Sequence, residues 1–305
     1  FENWLSFQMQ QRCHNKSTPN FINTLRNRLK DHVGTRTFLS EAKVIEGDIR
    51  TISSDEILQA ARKKSREITL VAGGPPCQPF SRAGKRETVE TSDGQLFLEF
   101  VRVVQDCQPR WFLFENVKGI AQSKTLVPYE VCNSCGHKNI VAFTERAAAI
   151  NGKYSSLFCK NCNSKDTYIN VANSRGGSLE IILHEFESIG YKCYHKLLNA
   201  ADFGVPQSRE RLFIVGSRDN EKFNWPKQTH FNPQLSSKSI KDDPQLSLLG
   251  TDLKPWLTVK DVLWQNGHDD FGLLDYNKAQ IWVKNVVRPH DEPVTWSLNR
   301  PSPTV

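Results

Sequence analysis

The chain has 305 residues, with 40 Lys and Arg against 33 Asp and Glu, and a formal charge of +7 at neutral pH. With 38% hydrophobic and 10% aromatic residues it is not a disordered or collagen-like sequence, and its length suits one large or two modest domains. Residues 1–20 lack the apolar core of a secretory signal, no apolar run is long enough to span a membrane, and the basic balance is compatible with a polyanionic partner.

In chain order, residues 1–40 are basic, and Phe21, Leu25 and Leu29 recur at helical spacing. They predict a helical N-terminal segment separate from the rest of the chain. Lys43–Glu46 reads as a short strand ending at Gly47-Asp48, and Ser54 or Asp55 caps a helix through Ala61. Ile68–Ala72 is a continuous apolar run closed by Gly-Gly-Pro-Pro, the pattern of a buried parallel strand. A helix over Leu96–Gln105 and a second buried strand, Trp111–Phe114, come next. Beyond them lie a helix over Leu179–Ser188, a strand near Tyr194–Leu198 and another over Arg211–Gly216. Strands alternating with helices predict a doubly wound, mostly parallel α/β sheet, whose ligands sit beyond the carboxyl ends of strands. Asp48, Cys77 and Glu115 each lie just past such an end.

Two segments break the alternation. Residues 124–177 form an insert, and residues 218–295 are rich in Pro, Trp and Lys with little periodicity; Asn232–Gly250 reads as a loop within them. The expected organisation is a basic N-terminal segment (1–40), a catalytic domain (41–123 and 178–217), the insert (124–177), a recognition region (218–295) and a return to the catalytic domain (296–305).

The insert carries Cys132-x-x-Cys135 and, after 23 intervening residues, Cys159-x-x-Cys162. Paired C-x-x-C turns suit a tetrahedral structural zinc in a ribbon-like fold. Such a closed site takes no part in chemistry, but an insert this poor in apolar residues depends on it for folding. Lys138, Lys153, Lys160 and Lys165 are compatible with either DNA contact or simple bracing.

Gly73-Gly74-Pro75-Pro76-Cys77 is a strand feeding a stiff turn that holds a thiol out at the sheet edge. A thiolate is a nucleophile, and it needs an electrophile activated by a neighbouring acid. The segment continues Gln78-Pro79-Phe80-Ser81, and with it the sequence resembles the cytosine-C5 DNA methyltransferase family of restriction-modification systems. The resemblance covers roughly residues 43–123 and 178–216. Glu115-Asn116-Val117 resembles the acid motif. Gln207-Ser208-Arg209-Glu210-Arg211 resembles the paired-arginine motif, preceded by Asn199-Ala200-Ala201-Asp202-Phe203-Gly204-Val205-Pro206. Arg300–Val305 resembles the motif flanking the recognition region.

The resemblance implies a Rossmann-like S-adenosylmethionine-dependent methyltransferase fold. It also implies transfer of a methyl group to C5 of a flipped-out cytosine in specific duplex DNA sequences. Cys77 would attack C6, Glu115 would hydrogen-bond or protonate N3, and Arg209 and Arg211 would bind the O2 side. Gln78, Ser81, Asn116 and Thr304 would lie against DNA. Asp48, Ile49, Gly73, Pro75 and Leu96 would border the cofactor. The implied setting is a prokaryotic cytoplasm or nucleoid. A cognate restriction endonuclease would act on the same site without stable association. Other classes remain open: a transfer-RNA methyltransferase, or a noncatalytic or split DNA-binding subunit. The family's Phe-x-Gly-x-Gly cofactor turn is not found, since residues 1–46 hold only Gly34, and the C-terminal cofactor motif is not found before Val305. A longer parent protein, a divided or rearranged enzyme and a degenerate copy each account for this. Intact motifs from Asp48 onward favour the first.

Overall fold

The computed structural model describes residues 43–75, 96–154, 158–234, 253–258 and 261, together with the backbone of four short strand segments at 4–7, 32–33, 36–37 and 302–303. The strands are β1 (Trp4–Phe7), β2 (His32–Val33), β3 (Arg36–Thr37), β4 (Leu70–Gly73), β5 (Trp111–Val117), β6 (Lys124–Cys132) and β7 (Lys138–Ile140). They continue as β8 (Thr167–Arg175), β9 (Lys192–Asn199), β10 (Gln207–Ser208), β11 (Glu210–Ser217), β12 (His230–Phe231), β13 (Lys254–Pro255) and β14 (Ser302–Pro303). The α-helices are α1 (Ser54–Ala61), α2 (Leu96–Cys107), α3 (Gly119–Gln122), α4 (Arg146–Ile150) and α5 (Gly177–Ser188).

A five-stranded sheet runs in the order β1-β4-β5-β11-β9. Strands β1, β4 and β5 are parallel, and their carboxyl ends line up, with Phe7 beside Gly73 and Gly73 beside Phe114. The apolar residues of α2 fall on one stripe, burying Phe97, Phe100, Val101, Val104 and Cys107. Helix α5 buries Ile181, Ile182 and Phe186. Both stripes meet the same face of β5. The Phe100 ring lies 5.6 Å from Phe114, and Phe186 stacks 4.2 Å from Phe112. Burying each such ring stabilises the fold by about 1.5–3 kcal/mol. Gly216 of β11 completes the packing: a Cβ there would stand 1.9 Å from the Phe112 ring.

Burial in β5 alternates, with Phe112, Phe114 and Asn116 inside and Leu113 half-buried. Two expectations change. Lys43–Glu46 is not a strand: it is irregular, only Val44 is partly sheltered, and no sheet neighbour orders it among the described residues. Residues 4–7 add a strand to the central sheet, so the reading of residues 1–40 as an element apart did not foresee β1. The helix expected over 21–29 lies outside the described residues.

The insert is a β ribbon in which β6 pairs antiparallel with β8 over nine residues, with β7 on its other edge. Its base is pinned to α5. Thr125 Oγ1 lies 2.6 Å from Ser178 Oγ, and Gly177 has no room for a side chain, since a Cβ would meet Val127 Cγ2 at 2.6 Å. Phe143 packs edge-on against Phe97, and the Arg146 guanidinium donates to the Leu126 carbonyl. The insert therefore shares the core of the sheet.

Two compact units divide the chain, Phe1–His195 with Leu212–Phe223, and Lys196–Arg211 with Asn224–Val305. Within the second, Asn199 Oδ1 accepts from Ala201 N and Arg209 N, and the Trp256 indole donates to Asp202 at 2.9 Å. Strand β12 lies parallel to β13 beside this platform, and the His230 ring occupies the space a side chain at Gly204 would take.

Candidate active site and metal centre

Parallel pairing sets Gly74 and Glu115 side by side, each one residue beyond the register pair Gly73 and Phe114. The fit is close. A Cβ at Gly74 would lie 2.9 Å from Glu115 Oε2 and 3.3 Å from the Glu115 carbonyl oxygen, so only glycine leaves the carboxylate its place. Asn116 locks the next residue: its Nδ2 donates to the Pro75 carbonyl at 3.0 Å, and its Oδ1 accepts from Val117 N. Asn116 is 5% exposed and Pro75 is buried. The strand that carries Glu115 thus holds the backbone at Pro75, two residues before Cys77 in the sequence. Asn116 was expected at the DNA; its side chain instead faces inward with both ends hydrogen-bonded. Cys77, Gln78, Ser81 and Thr304 lie outside the described residues.

Of the residues expected near the cofactor, Gly73 and Pro75 stand at the carboxyl end of β4, and Leu96 opens α2. Asp48 sits in a turn in which its carbonyl oxygen accepts from Thr51 N and Ile52 N. Its carboxylate is paired with Arg50 at 2.5–3.0 Å, which holds it below the usual carboxylate range. Ile49 packs against the core, and Arg102 donates to its carbonyl. An exposed carboxylate beside a packed aliphatic side chain fits the adenine end of S-adenosylmethionine.

The paired-arginine segment is built in the second unit. Arg209 N is held by Asn199, Ala200 N donates to the Arg209 carbonyl, and Arg211 Nη1 donates to the Glu210 carbonyl. Gln207 and Ser208 pair in parallel with Ser302 and Pro303, so the segment leading into Thr304 runs alongside the arginine motif. Sequence reasoning did not pick out Asn199, Asp202 or the latching role of Asn116. Asn199 opens the Asn-Ala-Ala-Asp-Phe-Gly segment that precedes the arginine motif, which was its one signal.

At the far end of the ribbon the four predicted ligands converge. Cys132 Sγ lies 3.6 Å from Cys162 Sγ and Cys135 Sγ 3.7 Å from Cys159 Sγ, and all four lie within 4.8 Å of one another. Tetrahedral Zn–S bonds of about 2.3 Å separate sulfurs by ~3.8 Å. The two knuckles share one backbone design. Gly136 N returns to the Cys132 carbonyl and Asn163 N to the Cys159 carbonyl, each residue at positive φ, 69° and 58°. Backbone and Asn161 donors aimed at Cys135 pull its thiol down to about 6. His137 flanks the cluster through its carbonyl, which accepts from Cys132 N.

The fold is that of an α/β methyltransferase, and comparison with known proteins narrows the class. The family model for C-5 cytosine-specific DNA methylase matches residues 20–135 and 170–270. The Type II methyltransferase M.AquIA of a Picosynechococcus strain is 36% identical over 245 residues, 80% of this chain and 75% of its own. M1.HphI of Haemophilus parahaemolyticus is 30% identical over 75% of this chain, and M.SacI of Streptomyces achromogenes 30% over 62%. The chain spans 45% and 36% of those two relatives. Among solved structures, a putative DNA modification methyltransferase from an E. coli prophage matches 72% of this chain and 40% of its own, at 21% identity and a TM-score of 0.36.

The chain belongs to the C-5 cytosine-specific DNA methylase family. No helix among the described residues is long and apolar enough to cross a membrane.

Proposed function

We propose that this chain transfers a methyl group from S-adenosylmethionine to C5 of a flipped-out cytosine in duplex DNA, through a covalent bond between Cys77 and C6. The supporting observation is the latch from Asn116 to the Pro75 carbonyl, with Gly74 flush against the Glu115 carboxylate. It ties the acid at the strand end to the loop leading to Cys77.

The Cys77 thiolate adds to C6 while Glu115 donates a hydrogen bond or proton to N3, taking up the negative charge that spreads into the ring. When bound, S-adenosylmethionine would supply an electrophilic methyl group to the electron pair then available at C5, with the neutral thioether as the leaving group. Loss of the C5 proton and expulsion of Cys77 restore the aromatic ring, and N3 returns its proton. Arg209 and Arg211 bind the O2 side of the base. Asp48, Ile49, Gly73, Pro75 and Leu96 hold the cofactor. Gln78, Ser81 and Thr304 meet the DNA strand, and residues 218–295 select the sequence. The cognate endonuclease reads the same site separately.

The test is a duplex containing 5-fluorocytosine, incubated with S-adenosylmethionine. Elimination needs loss of a proton that fluorine replaces, so the Cys77 adduct accumulates and survives denaturing electrophoresis. Absence of the adduct, or its persistence in Cys77→Ser, overturns the reading. Adduct formation only on fluorinated transfer RNA redirects it to RNA.

The same reading assigns one structural zinc to Cys132, Cys135, Cys159 and Cys162, supported by their sulfur spacing. Metal analysis of native protein is expected to return about one zinc per chain; none at all defeats it.

A further inference from the structure

Lys124 opens β6 and Arg175 closes β8, and the register sets them directly opposite each other. Both are exposed, and neither makes an ion pair or side-chain hydrogen bond among the described residues. Like charges facing each other across a ribbon repel, so the pairing works against the fold unless something anionic sits on it. Neither strand carries a compensating acid on its surface: β8 has none, and Glu130 of β6 is buried.

The place is rigid. Gly176 N donates to the Ser123 carbonyl, Ser178 Oγ joins Thr125 and Ser123, and Gly176 and Gly177 admit no side chain beside Ala121 and Val127. The chain reaches Lys124 from Glu115 and Asn116 through α3 alone, so that cation follows the acid along one short segment, and the ribbon register sets Arg175 beside it. Around them Asn173 is exposed, with Leu126 at 38% and Val171 at 37%. A basic, uncharged-polar and apolar surface of this kind suits a sugar-phosphate backbone, whose phosphates take most protein–DNA hydrogen bonds and set the register of the duplex.

We propose that the Lys124–Arg175 pair is a phosphate clamp for duplex DNA flanking the target cytosine. This rests on the DNA reading of the site. The ribbon base, rather than its metal-binding tip, is then the part of the insert that touches DNA. The tip carries Lys160 and Lys165, but four thiolates around a divalent ion add a net charge of about −2 there and cancel them.

The full chain is titrated against a fluorescein-labelled duplex of about 30 base pairs by anisotropy, over a series of salt concentrations near 0.1 M. The double variant Lys124→Gln/Arg175→Gln is expected to bind about tenfold more weakly. Its slope of log affinity against log salt should be shallower by about two. The charge-matched Lys160→Gln/Lys165→Gln is expected to change the slope by less than one unit, roughly. The swap Lys124→Arg/Arg175→Lys is expected to keep the wild-type slope and guards against a folding artefact. Unchanged binding in the double variant, an equal loss in the tip variant, or loss in the charge-conserving swap overturns the clamp alone. A wild-type chain that binds no duplex, or binds only an RNA hairpin, overturns the clamp together with the DNA reading.

Discussion

The central sheet and the distal end of the insert belong to one compact unit, yet opposite physics holds them. Around β5 the stabilisation is apolar burial: Phe97, Phe100, Phe112, Phe114 and Phe186 interlock with almost no water-exposed surface. Beyond Val131 the ribbon has nothing comparable. Tyr168 and Phe158 are about half exposed, and the chain is gathered instead around four converging sulfurs and two matched backbone turns. A ribbon can leave the protein surface only if something other than a core fixes its tip. At its base, where Tyr129 reaches Glu180 and Phe143 meets Phe97, the insert reverts to ordinary core packing.

On the proposed zinc reading, metal removal is the strongest way to break this contrast. Structural zinc binding releases about 10–16 kcal/mol in small zinc modules, so a chelator or Cys132→Ser is expected to unfold the tip. Hydrogen exchange should show lost protection over 132–138 and 158–167, with β4, β5 and α2 still protected. Equal loss in both regions would erase the distinction. Next in size, Phe112→Ala removes a ring packed against Phe186, Tyr191 and Gly216, at a cost of about 3–5 kcal/mol, and leaves zinc content unchanged. Urea unfolding checks it. Gly216→Ala drives a methyl group into that same ring and is expected to cost about 1–3 kcal/mol, read as a lower melting temperature.

Asn116→Ala leaves the buried Pro75 carbonyl without its donor, a loss of about 1–3 kcal/mol. If this bond to Pro75 serves the proposed chemistry, kcat falls while duplex affinity stays unchanged. A weakened affinity with intact kcat would return the residue to the DNA surface. The smallest effect is along the ribbon short of its tip, where Lys138 Nζ stands 3.5 Å from the Tyr129 ring centre. Lys138→Ala is expected to cost only about 0.5–1 kcal/mol and to leave metal affinity intact, since Lys138 offers no ligand atom.

Local patterns made much of this legible in advance. The runs Ile68–Ala72 and Trp111–Phe114, the helix over Leu96–Gln105 and the two C-x-x-C turns each declare themselves within a few residues, and each is found where expected. Lys43–Glu46 failed because an apolar pair is not a strand without a neighbour to bond to. Trp4–Phe7 went unnoticed because a four-residue edge strand has no period long enough to read.

The sequence by itself determined which residues are chemically able to act: a cysteine in a Gly-Gly-Pro-Pro loop, an acid after a buried strand and four paired thiols. Residue type and short-range spacing are enough for that. Only the tertiary structure decided what each one faces. Asn116 turned inward because parallel pairing brings the Pro75 carbonyl within reach of its amide. Lys124 and Arg175, fifty-one positions apart, became neighbours because a nine-residue antiparallel register closes the ribbon on itself. Such relations depend on strand order and register, which the whole core fixes together and no single segment encodes.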